Sequence, residues 1–282
     1  MYKILGVLLC VLALPALAQS PGPQCPEGSR MREQEWRIPG PGGVLMDATV
    51  FRPPGNARAP LVVVNHGAPA SADERPVMKR PEYLPISSFF VARGYVVVLP
   101  LRRGYGATGG HWAEQFGPCD RPDYVDAGLQ GAADIHAALD YMRRQPFVLP
   151  DRTLVVGHSA GGWGTVALSS LRVSGVPAMI AFAPGRGGHQ INGGTCTPEA
   201  LVKASARYGS TARVPLLWIT AANDTFFGPK LAARMVEAYD KAGGDATYRH
   251  VAAFGDEGHF LGSSDSGAPI WHPLVEQFLQ GK

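Results

Sequence analysis

Three residues of the types that together make a hydroxyl nucleophilic stand far apart in this 282-residue chain. Ser159 sits in Gly157-His158-Ser159-Ala160-Gly161, Asp224 in Ala221-Ala222-Asn223-Asp224-Thr225, and His259 in Asp256-Glu257-Gly258-His259-Phe260. A serine hydroxyl is a poor nucleophile at neutral pH until an imidazole can take its proton, and that imidazole needs a carboxylate to fix its tautomer and stabilise its cation. Attack on an acyl carbon also requires two N–H donors for the oxygen that gains charge. Ala160, directly after the serine, supplies one; Ala68 in His66-Gly67-Ala68-Pro69 is the candidate for the other, because Pro69 has no N–H. Asp256 is the rival carboxylate, but it lies three residues from His259 on the same loop, where an opposed contact is harder. Asp224 is therefore preferred, although the same side chain could simply cap the helix that follows.

These groups meet only if the chain delivers them to one edge of a sheet. Thr153 to Val156 is a short apolar and β-branched run, and Trp163, Val166, Ala167 and Leu171 have helical spacing, so Ser159 is expected at the apex of a strand, turn and helix. Glycines flank it at 157 and 161, where a Cβ is expected to clash. Buried strands are predicted at Leu61 to Val64 and Tyr95 to Pro100, and further strands at Ala178 to Phe182, Pro215 to Thr220 and Ala246 to Phe254. Val44 to Arg52 alternates apolar and polar, which predicts a half-exposed edge strand, and residues 19 to 43, rich in Pro and Gly, read as an irregular leading segment. Helical patterns fall at Ser87 to Arg93, Val125 to Arg144, Pro198 to Tyr208, Pro229 to Ala242 and Ile270 to Leu279. Alternating strands and helices predict an α/β fold with a mostly parallel central sheet and helices on both faces, with ligands at the carboxyl ends of the strands. Ser159, Asp224 and His259 each come just past a strand.

Composition excludes other classes. With 45% hydrophobic and 17% charged residues and a net charge of +3, nothing points to nucleic acid or anionic lipid as partner. The histidines outside the set lack metal-ligand spacing, so no catalytic metal is expected. Gly104 to Gly109 matches G-x-G-x-x-G, but His111, Trp112 and Pro118 follow instead of a helix, which argues against a dinucleotide site. Residues 1–18 have a basic start, an apolar run and Ala16-Leu17-Ala18, the pattern of a secretory signal peptide cut before Gln19. Export to a periplasm or the medium is expected, with no stable membrane span after cleavage and residues 19–282 folding as a single domain. Export leaves Cys25, Cys119 and Cys196, of which Cys119 and Cys196 are expected to form a disulfide because both fall in loops that should leave the same edge of the sheet.

The ordered set NHGAP, RRGYG (Arg102 to Gly106), GHSAG, AANDTFFGP and DEGH resembles the α/β-hydrolase superfamily, in its dienelactone-hydrolase-like and prolyl-oligopeptidase-like branch. That resemblance implies hydrolysis of an ester, thioester, lactone or peptide through an acyl-enzyme, without metal or organic cofactor. Dienelactone hydrolases proper use cysteine as the nucleophile, whereas position 159 is serine. The leading expectation is an exported, carboxylesterase-like serine hydrolase acting on a small-molecule ester. A peptidase, an amidase or an acyltransferase of the same fold is the alternative, and an inactive binding protein on a hydrolase scaffold is another. Residues 103 to 124 and 185 to 197 are long loops expected to wall the pocket, with Trp112, Phe116, Arg186 and His189 as candidate substrate contacts.

Overall fold

The computed structural model describes residues 20–69, 71–189 and 194–280. The proposed signal peptide lies outside these residues. Nine strands form one sheet in the order β1-β2-β3-β5-β4-β6-β7-β8-β9. They are β1 (Gly22–Pro23), β2 (Gln34–Pro39), β3 (Leu45–Phe51), β4 (Ala59–Asn65), β5 (Val96–Pro100), β6 (Val148–His158), β7 (Ala178–Phe182), β8 (Leu216–Ala221) and β9 (Ala246–Val251). From β5 through β9 every neighbouring pair is parallel; β1, β2 and β3 join antiparallel.

Leu61 to Val64 of β4, Val96 to Pro100 of β5 and Ala178 to Phe182 of β7 are apolar without interruption because both faces of these central strands are covered. On β4, Leu61 and Val63 belong to the core under α2 (Tyr124–Arg143), α3 (Ala160–Ser169), α4 (Pro198–Gly209) and α5 (Pro229–Lys241). Val62 and Val64 point the other way, into the core under α1 (Leu84–Val91) and α6 (Ala268–Leu279). The parallel crossovers bring the carboxyl ends of β4, β5, β6, β7 and β8 to one edge, where Asn65 pairs with Gly157 and His158 with Phe182. Among the described residues no helix is long and apolar enough to cross a membrane.

Two expectations need correction. Val44 to Arg52 is not at an edge: β3 is paired on both sides, with β2 and β5, and its last four residues are buried. The leading segment is not wholly irregular, since it supplies β1 and β2, and Trp36 and Ile38 of β2 are core residues. Gln34 to Pro39 does alternate, but prolines and glycines on either side mask so short a strand, and only pairing with β3 fixes it. Cys119 and Cys196 form a disulfide with Cα atoms 5.0 Å apart, while Cys25 is free.

Candidate active site

Ser159 occupies the turn between β6 and α3 with φ 54° and ψ −119°, a conformation rarely adopted by a residue with a side chain. Both flanking glycines are obligatory for steric reasons. A Cβ at Gly157 would lie 2.3 Å from the Gly161 carbonyl oxygen, and one at Gly161 would lie 2.3 Å from that of Asn65. The turn is pinned by the Ser159 N–H donating to Phe182 O and by Trp163 N–H donating to Ser159 O. The hydroxyl is thus held above the strand ends, where two cavities meet.

His259 lies on a short turn, Gly258–Phe260, beyond β9, and Asp224 on the turn beyond β8. His259 Nδ1 is 3.2 Å from Asp224 Oδ2, and both side chains are buried. The carboxylate can only accept, so Nδ1 carries the proton and Nε2 is left with its lone pair. Asp224 Oδ1 also accepts from the backbone N–H groups of Phe226 and Phe227. Burial alone would raise the Asp224 carboxyl, but the hydrogen bonds from His259 and these amides outweigh it and hold the group below its ordinary range. The two oxygens of Asp224 thus divide their contacts, Oδ2 to the imidazole and Oδ1 to the turn's backbone amides. The Phe226 ring stacks on the His259 imidazole at 4.1 Å, and Glu257 accepts from the His259 and Thr225 N–H groups. Ser159 and His259 border one cavity of about 650 Å³. Among the described residues no hydrogen bond joins the two side chains; such bonds are often long without substrate and tighten when it binds.

Ala68 and Ala160 both line a second cavity, of about 440 Å³, that also opens on Ser159. Trp112, Phe116 and Arg186 line it too, so three of the four expected contacts meet the serine there. His189 does not line either cavity: it is exposed, stacks on Phe226 at 3.7 Å and bonds Thr225 Oγ1 at 2.7 Å. Its ring is taken up by the loop that carries Asp224, which removes it from the cavity walls. At Gly104 to Gly109 the chain makes only a single 3₁₀ turn, Gly106–Thr108, and opens no helix.

Sequence reasoning missed a hydrogen-bond chain around the serine. Gly67 N–H donates to Tyr83 Oη at 2.9 Å, Tyr83 Oη lies 3.0 Å from His158 Nδ1, and His158 Nε2 lies 2.8 Å from the carbonyl oxygen of His259. That carbonyl can only accept, so Nε2 carries the proton and Tyr83 O–H must donate to Nδ1. The loop bearing Ala68 is thereby tied to the loop bearing His259 through the residue before Ser159. Burial, with His259 nearby, pushes His158 down to about 3. His66 is likewise pushed down to about 3, by burial and then by Arg102; its Nδ1 faces Gly67 O and its Nε2 accepts from the Arg102 N–H. No spacing in the sequence signals either pairing, because His158 and Tyr83 are 75 residues apart.

Residues 83–173 match the prolyl oligopeptidase family. Dipeptidyl-peptidase 5 of Porphyromonas gingivalis is 28% identical over 162 residues, which cover 54% of this chain and 21% of that protein. A puromycin-hydrolyzing peptidase from Mycobacterium tuberculosis superposes with a TM-score of 0.61 at 20% identity, over 84% of this chain and 38% of that one. A putative dienelactone hydrolase from Klebsiella pneumoniae gives 0.57 at 18% identity, over 88% and 98% of the two chains. This chain thus spans about a fifth of the length of the curated relative it matches and less than half of the solved peptidase.

Proposed function

We propose that this chain, which belongs to the α/β-hydrolase superfamily and is both prolyl-oligopeptidase-like and dienelactone-hydrolase-like, is a serine hydrolase that cleaves a carboxylic ester. The observation that carries the reading is the strained Ser159 turn sharing a cavity with His259, whose Nδ1 is held by Asp224. In this reading Ser159 Oγ bonds the acyl carbon while its proton passes to His259 Nε2, and the Ala160 and Ala68 N–H groups take the developing oxyanion. The carbon–oxygen bond to the leaving group then breaks as His259 returns the proton to that oxygen. Water, deprotonated by the same imidazole, attacks the acyl carbon; the Oγ–carbon bond breaks and Ser159 recovers a proton. Asp224 holds the imidazole and stabilises its cation throughout.

A second reading, hydrolysis of a peptide or amide by the same residues, is favoured by the match to the prolyl oligopeptidase family and to a dipeptidyl-peptidase. A panel of p-nitrophenyl esters against aminoacyl amides separates the two. A fluorophosphonate probe that labels wild-type protein at Ser159 supports either; a protein that stays unlabelled and turns over neither class of substrate overturns both.

The choice between carboxylates has its own test. Asp224→Asn keeps the shape but supports the wrong imidazole tautomer, and is expected to lower kcat about 10⁴-fold. Asp256→Asn is expected to change kcat less than about threefold, since no hydrogen bond or ion pair joins Asp256 to His259 among the described residues. The reverse order in steady-state assays would reassign the carboxylate. Export is part of the same proposal, with residues 1–18 removed and residues 19–282 folding as one domain. Expression in a bacterial host with an intact secretion route should yield protein outside the cytoplasm whose N-terminal sequence starts at Gln19, and a retained Met1 would contradict it.

A further inference from the structure

The two cavities that meet at Ser159 differ in charge. The smaller is walled by Arg75, Trp112, Phe116, Arg186 and the Cys119–Cys196 disulfide. The larger is walled by Met78, Leu84, Phe260 and His259, with the carboxylates of Glu74 and Asp265 also bordering it.

The positive charge of the smaller cavity is uncompensated. Arg102 and Arg186 both pair with one carboxylate, Glu114, and the three side chains are 0, 4 and 2% exposed. Burial alone would raise Glu114, but Arg102 and Arg186 hold it down to about 2, so the carboxylate stays charged. The neighbouring Arg103–Asp134 pair adds one charge of each sign, and His66 is neutral. Two guanidiniums against one carboxylate leave the group with a net charge of +1, and Arg186 Nε has no hydrogen-bond partner among the described residues. The Arg75 guanidinium lies over the Trp112 ring at 4.0 Å and has no carboxylate partner among the described residues, and that of Arg186 lies 5.1 Å from the same indole. Charge held out of water without a partner is costly, so this wall favours an anion from the ligand.

The reaction fixes which part of a substrate enters each cavity. His259 must reach the departing oxygen, and of the two cavities it borders only the larger. Of the two oxyanion donors, Ala160 borders only the smaller cavity and Ala68 borders both, so the arginine side is left for the acyl chain. The leaving group therefore sits on the Met78, Leu84 and Phe260 side, and the acyl chain on the arginine side.

We propose that the site prefers esters whose acyl chain ends in a carboxylate, seated against Arg75 and Arg186, and whose leaving group is apolar and uncharged. This rests on the hydrolase reading above. Three esters test it: phenyl pentanoate, phenyl hydrogen glutarate, in which a carboxylate replaces the terminal methyl, and 3-carboxyphenyl pentanoate, in which the carboxylate is on the leaving group. After subtraction of spontaneous hydrolysis, kcat/KM for the glutarate monoester is expected about 10-fold or more above that for phenyl pentanoate, and the 3-carboxyphenyl ester several-fold below it. Arg75→Gln and Arg186→Gln should each bring the glutarate-to-pentanoate ratio toward one. Because the ratio is taken within one enzyme, a general loss of activity does not disguise the result, and the partly exposed Arg75 provides a variant should Arg186→Gln fail to fold. A wild-type ratio at or below one, or a ratio that Arg75→Gln leaves unchanged, overturns the proposal while Ser159 labelling and phenyl pentanoate cleavage uphold the hydrolase reading. Loss of both labelling and cleavage in the wild type overturns the two together.

Discussion

Ser159→Ala is expected to lower kcat by between about 10³- and 10⁶-fold and to abolish fluorophosphonate labelling, with the fold unchanged. The range is wide because whatever the Ala68 and Ala160 amides and the cavities contribute survives the substitution, and that remainder differs between sites. Folding should survive because the turn is held by backbone bonds, Ser159 N–H to Phe182 O and Trp163 N–H to Ser159 O, which alanine keeps. The strained φ of 54° and ψ of −119° offers an independent check. Ser159→Gly should be equally inactive yet more stable than Ser159→Ala by about 1 kcal/mol, since glycine adopts that conformation without Cβ strain. Urea unfolding of the two variants beside wild type measures this. An Ala variant that retains more than a tenth of wild-type turnover would remove Ser159 from the reaction.

Acid should unfold the protein steeply. His66 and His158 are held neutral in the fold down to about 3, whereas an ordinary histidine takes its proton near pH 6.5. Between those values the unfolded chain binds about two more protons than the native state, so stability falls as pH drops through that window, by about 2.7 kcal/mol per pH unit where both groups contribute fully. Glu114, held down to about 2, adds to the loss in the same direction once the pH passes below the ordinary glutamate range. Asp134, pushed up by burial against its bonds with Arg103, opposes by one proton at most. The two histidines together remove about 9 kcal/mol between pH 6.5 and 3, so a domain in the lower half of the usual range of about 5–15 kcal/mol is expected to unfold cooperatively before pH 3. Urea midpoints at pH 7, 6, 5 and 4 should decline progressively, and midpoints that stay level from pH 7 to 4 would contradict the buried neutral state of both histidines. The two histidines hold loops on either side of Ser159, so acid unfolding dismantles the site together with the fold.

Among the elements, those legible in the sequence were the ones whose signal is local. Leu61 to Val64 and Val96 to Pro100 are apolar without interruption because sheet and helices cover both faces, and each was placed within a residue or two. The strand β2 was missed because six residues with two buried side chains carry too little pattern to stand out from the prolines and glycines around them. Trp112, Phe116 and Arg186 were placed on the cavity from the rule that loops at strand carboxyl ends wall the site, but the same rule put His189 there, and a stacking contact with Phe226 drew it away.

The sequence by itself determined the strand, turn and helix around Ser159, because Gly157 and Gly161 are required by contacts within a few residues or with the adjacent strand. It also determined which side chains arrive at the strand ends, since a parallel sheet delivers every strand's carboxyl end to one edge. Only the tertiary structure decided which of them touch. That His259 takes Asp224 and not Asp256, that Tyr83 and His158 join the loops of Ala68 and His259, and that Arg102 and Arg186 meet over a single Glu114 all depend on distances between segments 35 to 101 residues apart or on loops folded back on themselves. Hydrophobic periodicity records burial along one segment, whereas charge balance and hydrogen-bond direction belong to pairs, and a pair exists only once the sheet has brought its members together.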